Sequence, residues 1–131
     1  MDGKNKKILL VDDDSFLIDM YTVKFKEANF DITSVFNGEQ AIEKLKGGLN
    51  PDVVVFDMIM PGMNGLELLE EIHKGNLAPN ATLIVLSNQG QPSDVEAAKK
   101  LGVDGYIVKA NTIPSEVLEQ VLEIMNRRSS R

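Results

Sequence analysis

The sequence predicts an α/β fold: an open, doubly wound parallel sheet of five strands with helices on both faces. Four apolar runs recur without polar alternation, as expected for strands that are buried on both faces. They are Ile8 to Val11, Val53 to Phe56, Leu83 to Leu86 and Tyr106 to Val108. A helical periodicity follows every predicted strand, and this regular alternation with right-handed crossovers predicts a doubly wound sheet.

The remaining strand and the five helices rest on weaker local signals. The run from Ile32 to Phe36 includes polar residues, which predicts a strand at the edge of the sheet. Apolar residues recur at spacings of three or four in five further segments, which predicts amphipathic helices. These residues are Leu17, Tyr21, Phe25 and Ala28; Ala41, Ile42 and Leu45; Leu66, Leu69 and Ile72; Val95, Ala98 and Leu101; and Leu118, Val121, Leu122 and Met125.

Several helix boundaries carry their own signals. Asn37 can cap the second helix, and Ser93 with Glu96 has the pattern of a capping box for the fourth helix. Gly102 follows the fourth helix as a left-handed stop, and the segment from Thr112 to Pro114 precedes the fifth helix. Each predicted strand therefore leads through a loop into a helix.

The size and composition of the chain are those of one soluble domain. Its 131 residues allow a single core over about residues 7 to 125, and 43% of the residues are apolar. No apolar segment approaches the roughly 20 residues that span a bilayer. The lysines after Met1 precede an apolar run of four residues, which is unlike a signal peptide. We therefore expect a soluble protein of the cytoplasm.

Composition and charge also exclude several classes of function. The chain has no cysteine, which excludes disulfides, thiolate catalysis and zinc–cysteine sites. A net charge of −6 and a pI of about 4.8 argue against direct contact with nucleic acid or with a membrane. No Gly-Lys-Ser/Thr ending follows Gly62 and Gly65, so these glycines do not indicate a loop for nucleotide phosphates.

Carboxylates follow two of the predicted strands. Asp12, Asp13 and Asp14 come directly after the first apolar run, and Asp57 comes after the run from Val53 to Phe56. Asp14 alone is most simply explained as the cap of the following helix. Because parallel strands end at one edge of a sheet, the other three carboxylates should lie together, and they would repel one another unless a cation joins them. Oxygen ligands of this kind suit Mg²⁺.

A hydroxyl and an ammonium group are expected at the same edge. Ser87 follows the run from Leu83 to Leu86, and Lys109 follows the run from Tyr106 to Val108. Each residue alone is weak evidence, since a serine is common in turns and a lysine is common at solvated strand ends. Together with the aspartates they form a set for phosphoryl transfer: an aspartate nucleophile, carboxylates that hold Mg²⁺, and a hydroxyl and an ammonium group that bind the phosphoryl oxygens.

With these residues in place, the chain resembles the receiver domain of two-component response regulators from Lys7 to about Met125. The motifs that carry the resemblance are Val11-Asp12-Asp13-Asp14, the segment from Phe56 to Gly65, Leu86-Ser87 and Tyr106-Ile107-Val108-Lys109. The resemblance implies a flavodoxin-like (βα)5 sheet with strand order 2-1-3-4-5. It also implies a signalling domain that promotes only its own phosphorylation and dephosphorylation, and thus not an enzyme.

The resemblance assigns a role to each site residue. Asp57 would accept a phosphoryl group from a histidine kinase or a phosphotransfer protein. Asp13 would bind Mg²⁺ directly, Asp12 largely through water, and Asp57 and the backbone carbonyl of Ile59 would complete the protein ligands of the ion. The metal set is thus Asp12, Asp13, Asp57 and Ile59, and the phosphoryl oxygens would be held by Ser87 and Lys109.

The resemblance also implies a switch and an output surface. Ser87 would move towards the phosphoryl group, and Tyr106 would follow it. The surface formed by the fourth helix, the fifth strand and the fifth helix would then report phosphorylation to a protein, either a second copy of the chain or a separate effector.

Three positions depart from the family pattern. Ala110 follows Lys109, where receivers usually have proline after a cis peptide bond, and a cis bond before alanine would cost about 3 kcal/mol or more. Asn88 stands where a small residue is usual, and Ile59 is apolar where many members are polar. We expect Asn88 and Ile59 to hinder the water that removes the phosphoryl group.

Other interpretations of the sequence were weighed against this one. A phosphatase with a strand-terminal aspartate would carry a second aspartate two residues later, where this chain has Ile59. A flavin-binding module would have hydroxyl groups after the first strand, and three carboxylates there would repel its phosphate. A receiver that has lost phosphorylation stays an open alternative. His73 is interpreted as an exposed helix end, and Tyr106, without the resemblance, as packing at the edge of the sheet.

Overall fold

A computed structural model describes residues 3–88 and 90–129, apart from the side chains at 111 and 129. Strands and α-helices alternate along the chain, as the sequence predicts. The elements are β1 (Lys7–Val11), α1 (Ser15–Glu27), β2 (Asp31–Val35), α2 (Gly38–Lys46), β3 (Val53–Phe56), α3 (Gly65–Lys74), β4 (Thr82–Ser87), α4 (Pro92–Lys100), β5 (Gly105–Val108) and α5 (Pro114–Ser129), with a 3₁₀ turn at Lys109–Asn111. None of the helices in these ranges is long and apolar enough to cross a membrane.

The five strands form one parallel sheet in the order β2-β1-β3-β4-β5, which confirms the predicted fold class. The register places Val11 beside Phe56, Phe56 beside Val85, and Ser87 beside Val108. The carboxyl ends of four neighbouring strands therefore lie along one edge. β2 is at the side of the sheet, which confirms that its mixed polarity marks an edge strand.

Two apolar layers cover the sheet. Successive residues of β1 alternate between them, so that Leu9 packs towards α2 and α3, whereas Leu10 packs towards α1 and α5. All four residues of β3 are buried, because this strand lies in the middle of the sheet. A strand that contributes to both layers has no solvated face, and this accounts for the continuous apolar runs in the sequence.

Local capping sets the start of the first two helices. Asp14 Oδ1 accepts hydrogen bonds from the backbone amides of Phe16 and Leu17 at 3.0 and 3.2 Å. Asn37 Oδ1 accepts from the amide of Gln40 at 2.8 Å. Both predicted caps are thus confirmed, and the side chain of Asp14 is directed to the amides of α1.

The predicted start of α4 is wrong. The helix begins at Pro92, and Gln91 precedes it without a side-chain capping bond, so Ser93 and Glu96 do not form a capping box at its start. Proline suits the first helical position because its φ angle is already helical and its missing N–H would have no partner there. The predicted stop at Gly102 is confirmed by its φ of +86°.

Two of the buried helix faces are wider than the sequence pattern predicts. Ile18 of α1 and Val117 and Ile124 of α5 are buried in addition, whereas the predicted Leu17, Leu118 and Met125 are partly buried and pack against the same core. The additional burial in α5 arises because this helix packs against both the sheet and α1, so its buried stripe is wider than one row of residues.

The fifth helix also continues beyond the predicted limit of the core near residue 125, as far as Ser129. Arg128 holds its last turn: the guanidinium donates to the carbonyl of Asn80 at 3.1 Å and lies 3.6 Å from the Asp104 carboxylate. No cis peptide bond occurs in the described parts of the chain, so Lys109 and Ala110 are joined by a trans bond.

Candidate metal and phosphoryl site

The carboxyl edge of the sheet holds a polar cleft of about 320 Å³. Each of the strands β1, β3, β4 and β5 ends in, or is followed directly by, a residue of this cleft. The aligned strand ends explain why side chains far apart in the sequence meet here. The lining residues are Asp12, Asp13, Asp14, Leu17, Asp57, Ile59, Ser87, Asn88 and Lys109.

Asp12 and Asp57 are held by the hydrogen-bond pattern of the sheet, which continues past the strand ends. The amide of Asp12 donates to Val35 O at 3.2 Å, and the amide of Asp57 donates to Val11 O at 3.1 Å. Asp12 is 1% exposed and Asp57 is 7% exposed, whereas Asp13 is exposed to solvent. Two carboxylates are therefore built into the floor of the cleft, and the third is open to water.

These three carboxylates could hold a metal ion. One oxygen from each of Asp12, Asp13 and Asp57 lies within 4.8 Å of the other two. Clustered carboxylate oxygens with access to water fit Mg²⁺, which prefers oxygen ligands and retains part of its hydration shell. Within residues 3–88 and 90–129 no second group of three carboxylate or histidine ligands is close enough to form such a site.

Lys109 is buried between two of these carboxylates. Its Nζ lies 2.5 Å from Asp12 Oδ2 and 3.0 Å from Asp57 Oδ2. Burial alone lowers the pKa of Lys109, but the hydrogen bond to Asp12 and the charges of both carboxylates outweigh it and raise the pKa above its ordinary value of 10.5. The lysine is thus a charged group throughout the physiological pH range.

The other oxygens of the two buried carboxylates accept backbone hydrogen bonds. Asp12 Oδ1 accepts from the amide of Asp14 at 3.0 Å, and Asp57 Oδ1 accepts from the amide of Ile59 at 3.2 Å. Burial raises the pKa of Asp12 above 3.8, and the bonds from Lys109 and Asp14 offset only part of this effect. The orientations of both side chains are therefore set by bonds to each oxygen.

The loop after Asp57 packs closely behind the aspartate. Gly65 begins α3, and its amide donates to Met58 O at 2.9 Å. A Cβ atom at this position would lie 2.5 Å from the carbonyl oxygen of Asp57, so only glycine fits without moving the backbone. Glu39 of α2 supports the same loop, because its Oε1 accepts from the amide of Met63 at 3.0 Å.

Ser87 and Tyr106 are linked on β4 and β5. Ser87 is fully buried at the end of β4 and lines the cleft. Burial raises the pKa of Tyr106, as does the nearby Asp94 of α4, whereas a side-chain hydrogen bond with Ser87 lowers it. The hydroxyl that faces the cleft is thus connected to the aromatic side chain on the last strand and to the electrostatic environment of α4.

The structure therefore brings together all of the predicted metal and phosphoryl residues, and it places the predicted switch residue Tyr106 beside Ser87. Sequence reasoning missed that Leu17, which packs partly against the core as predicted, also lines the cleft. It also missed Gly65 and Glu39, whose roles depend on contacts between loops. A period of three or four residues cannot distinguish Leu17 from Ile18, because both lie on the inner half of the helix.

Other candidates lie away from the cleft. His73 is exposed at the end of α3, as predicted, and its Nε2 lies 2.5 Å from the carbonyl oxygen of Leu101. Met58 and Met60 are buried as packing residues. A larger groove of about 710 Å³ lies between β2 and α2, but its only charged lining residues are Glu43 and Lys44. The chemistry is therefore concentrated in the smaller cleft.

A 2-1-3-4-5 sheet with an acidic cleft and a buried lysine at its carboxyl edge defines the class of signalling receiver domains. The family model of the response regulator receiver domain matches residues 8–122, and the chain belongs to this family. It is 38% identical over 120 residues to the chemotaxis protein CheY of Thermotoga maritima, and this match covers 91% of this chain and 97% of that protein. Within the family, the chain is thus a CheY-like receiver of two-component systems.

Longer relatives and solved structures agree with this assignment. The chain is 31% identical over 127 residues to the DNA-binding response regulator MtrA of Mycobacterium tuberculosis, and the match covers 97% of the chain but 54% of MtrA. A CheY-like receiver domain protein from Methanospirillum hungatei superposes with a TM-score of 0.85 at 26% identity, covering 95% of this chain and 97% of that one. The receiver domain of a Francisella response regulator superposes with a TM-score of 0.80 at 32% identity, and the match covers 95% of this chain and 99% of that one.

Proposed function

We propose that this chain, as one receiver domain, takes a phosphoryl group onto Asp57 from a histidine kinase or a phosphotransfer protein, and signals by a conformational switch to a protein partner. The observation that supports this most directly is the position of Asp57. Its carboxylate lies in an open cleft, with the Lys109 ammonium 3.0 Å away and the carboxylates of Asp12 and Asp13 beside it. Receiver domains accept phosphoryl groups from histidine kinases, and the proximity of these charged groups to one aspartate supports the same role for Asp57.

The transfer step uses the chain's own residues in distinct roles. An Asp57 oxygen forms a bond to phosphorus as the bond from phosphorus to the donor imidazole nitrogen breaks, and the imidazole leaves with that electron pair and is then protonated. Lys109 gives up one carboxylate contact and holds a phosphoryl oxygen. Mg²⁺ held by Asp12, Asp13, Asp57 and the backbone carbonyl of Ile59 would supply the positive charge that draws the phosphoryl group to an acidic cleft.

Exposed apolar side chains around the cleft favour a protein as the phosphoryl donor. Phe16 and Met20 of α1 are 71% and 36% exposed, and Ile59 and Ile113 in the loops after β3 and β5 are 63% and 59% exposed. A donor that covers these side chains gains their burial and brings its phosphohistidine over Asp57. This arrangement supports a docking surface that includes the outer face of α1.

The switch would act through Ser87 and Tyr106. In the structure the Ser87 side chain is hydrogen-bonded with Tyr106, and Ser87 also lines the cleft. A phosphoryl oxygen on Asp57 would attract the Ser87 hydroxyl, and the Tyr106 side chain would move with it. The readout surface is then α4, β5 and α5, which would contact a second copy of the chain or a separate effector. Because the chain has a net charge of −6, nucleic acid and anionic membranes should repel it, which argues against either as the direct target.

Phosphorylation of Asp57 is tested by mass spectrometry. Incubation with Mg²⁺ and a small acyl phosphate should add one phosphoryl group, which is stable in acid and lost in base. The Asp57→Asn protein should gain none, whereas Asp52→Asn, a control aspartate before β3, should gain one. An equally labelled Asp57→Asn protein would exclude Asp57 as the acceptor. A folded wild-type protein that gains no group from any donor would favour the alternative of a receiver that has lost phosphorylation.

A further inference from the structure

The fourth helix is the most weakly held helix of the described structure. Ala98 is its only buried residue, and no side chain caps its N-terminal end. Only residues 88–91 separate this end from Ser87 in the sequence. A helix with little buried apolar area and an uncapped end has low local stability, and it can shift without disturbing the core.

The opposite end of α4 is held by a contact from another helix. His73, in the last turn of α3, places its Nε2 2.5 Å from the carbonyl oxygen of Leu101, the C-terminal cap residue of α4. A carbonyl oxygen can only accept, so the contact assigns the proton to Nε2. The last carbonyls of a helix have no partner within the helix, and the imidazole provides one.

Gly102 forms the turn that lies beside this contact. Its φ of +86° turns the chain away after α4, and a Cβ atom added to Gly102 would lie 3.6 Å from His73 Nε2. The imidazole thus lies directly against the backbone of the turn. The interaction joins the ends of two helices that both lie at the sheet edge opposite the cleft.

We propose that His73 is a positioning residue for the switch: by donating from Nε2 to Leu101 O, it fixes the C-terminal end of α4, so that a change at Ser87 moves the helix about this end. The proposal rests on the proposed function and adds to it a means of regulation. It also gives a role to the sole histidine of the chain.

The contact should matter for the affinity of a phosphoryl mimic. If the C-terminal end of α4 is released, the helix is more disordered in the unliganded protein, and the mimic must order more of the chain when it binds. One lost hydrogen bond corresponds to a change of about two- to ten-fold in an equilibrium constant. We therefore expect the affinity for beryllofluoride to fall by about this factor when the Nε2 donor is removed.

Three variants separate the hydrogen bond from the presence of a side chain. His73→Leu keeps the bulk but has no donor, His73→Gln keeps an N–H at a similar reach, and Lys74→Gln alters the same turn without touching Leu101. Both positions are exposed, and urea unfolding verifies that each of the three proteins is folded. Amide exchange of the unliganded proteins then reports α4 directly, and beryllofluoride titration in Mg²⁺ reports the coupling to the cleft.

We expect His73→Leu to exchange faster over residues 93–101 but not over β1 or β3, and to bind beryllofluoride about two- to ten-fold more weakly. His73→Gln and Lys74→Gln should both behave like the wild-type protein. The proposal would be overturned if amide exchange in α4 of His73→Leu were unchanged, or if it were faster without any loss of beryllofluoride affinity. It would also be overturned if His73→Gln lost as much affinity as His73→Leu. Failure of the wild-type protein to bind beryllofluoride would instead count against the proposed function, because the exchange experiment does not use the mimic.

Discussion

Lys109 and Asp12 are 97 positions apart in the sequence, yet their side chains meet at 2.5 Å in the floor of the cleft. The same ammonium reaches Asp57 at 3.0 Å, so one buried cation serves two buried carboxylates. This arrangement stabilises the floor of the cleft and also prepares it for an anion, because Lys109 can exchange a carboxylate partner for a phosphoryl oxygen without leaving the site. Structure and proposed function thus depend on the same three side chains.

Removal of the buried cation should cost both stability and phosphorylation. Lys109→Met leaves the buried carboxylates of Asp12 and Asp57 without a cation, so we expect the free energy of unfolding to fall by about 3–5 kcal/mol. The added change Asp12→Asn removes one of the two repelling charges, and the double variant should therefore lose less than the sum of the single variants. Urea unfolding measures these differences. Lys99→Met, at an exposed position, is the control, and additive losses would show that the two residues are not coupled.

Stability should depend on pH through Asp12. Burial raises the pKa of Asp12 in the folded protein above 3.8, so the folded state binds more protons than the unfolded state between these two pKa values. The stability of the wild-type protein relative to Asp12→Asn should therefore fall as the pH rises above 3.8, and level off once Asp12 is ionised in the folded state. Unfolding free energies of both proteins in chelator, from acid to neutral pH, provide the measurement. A constant difference would show that the pKa of Asp12 is unchanged by folding.

Asp13 and Asp14 should have separate roles, although they are adjacent. Asp14 caps α1 through the amides of Phe16 and Leu17, so Asp14→Ala should lower stability by about 1 kcal/mol and leave Mg²⁺ affinity nearly unchanged. Asp13 is exposed and lies in the metal cluster, so Asp13→Ala should weaken Mg²⁺ or Mn²⁺ binding with little effect on stability. Titration with Mg²⁺ measures the metal affinity of both variants, and urea unfolding measures their stability. If both variants lost the same Mg²⁺ affinity, the aspartates would be better explained as helix caps than as a metal site.

Two exposed residues should control the lifetime of the phosphorylated protein. Ile59 and Asn88 both line the cleft, where they can hinder the water that attacks the phosphoryl group. Ile59→Asn and Asn88→Ala should each shorten this lifetime, which can be followed by the decay of the phosphorylated protein after the donor is removed. Ile113→Asn is the control, because Ile113 is exposed but does not line the cleft. If all three decay like the wild-type protein, neither position obstructs the water.

The sequence by itself determined the fold class and the group of residues at the carboxyl edge, whereas the strand order was predicted only from the resemblance to receiver domains. These features could be predicted because the buried strands β1, β3 and β4 are continuous apolar runs, and because residues that follow parallel strands must lie at the same edge. The cap at Asp14 was also predictable, since a capping side chain bonds to amides two or three positions away. Signals of this kind are contained in a short stretch of chain.

Only the tertiary structure decided which side chains meet and at what distance. The sequence placed Lys109 at the correct edge, but its simultaneous contact with Asp12 and Asp57 depends on the register of three strands. The contact of His73 with Leu101 was likewise not predictable, because it depends on how the ends of two helices pack. The start of α4 at Pro92 does have a local signal, since proline favours the first helical position, but the capping pattern of Ser93 and Glu96 predicted a later start. Contacts between distant segments are set by the packing of the whole chain, and local sequence patterns do not contain that information.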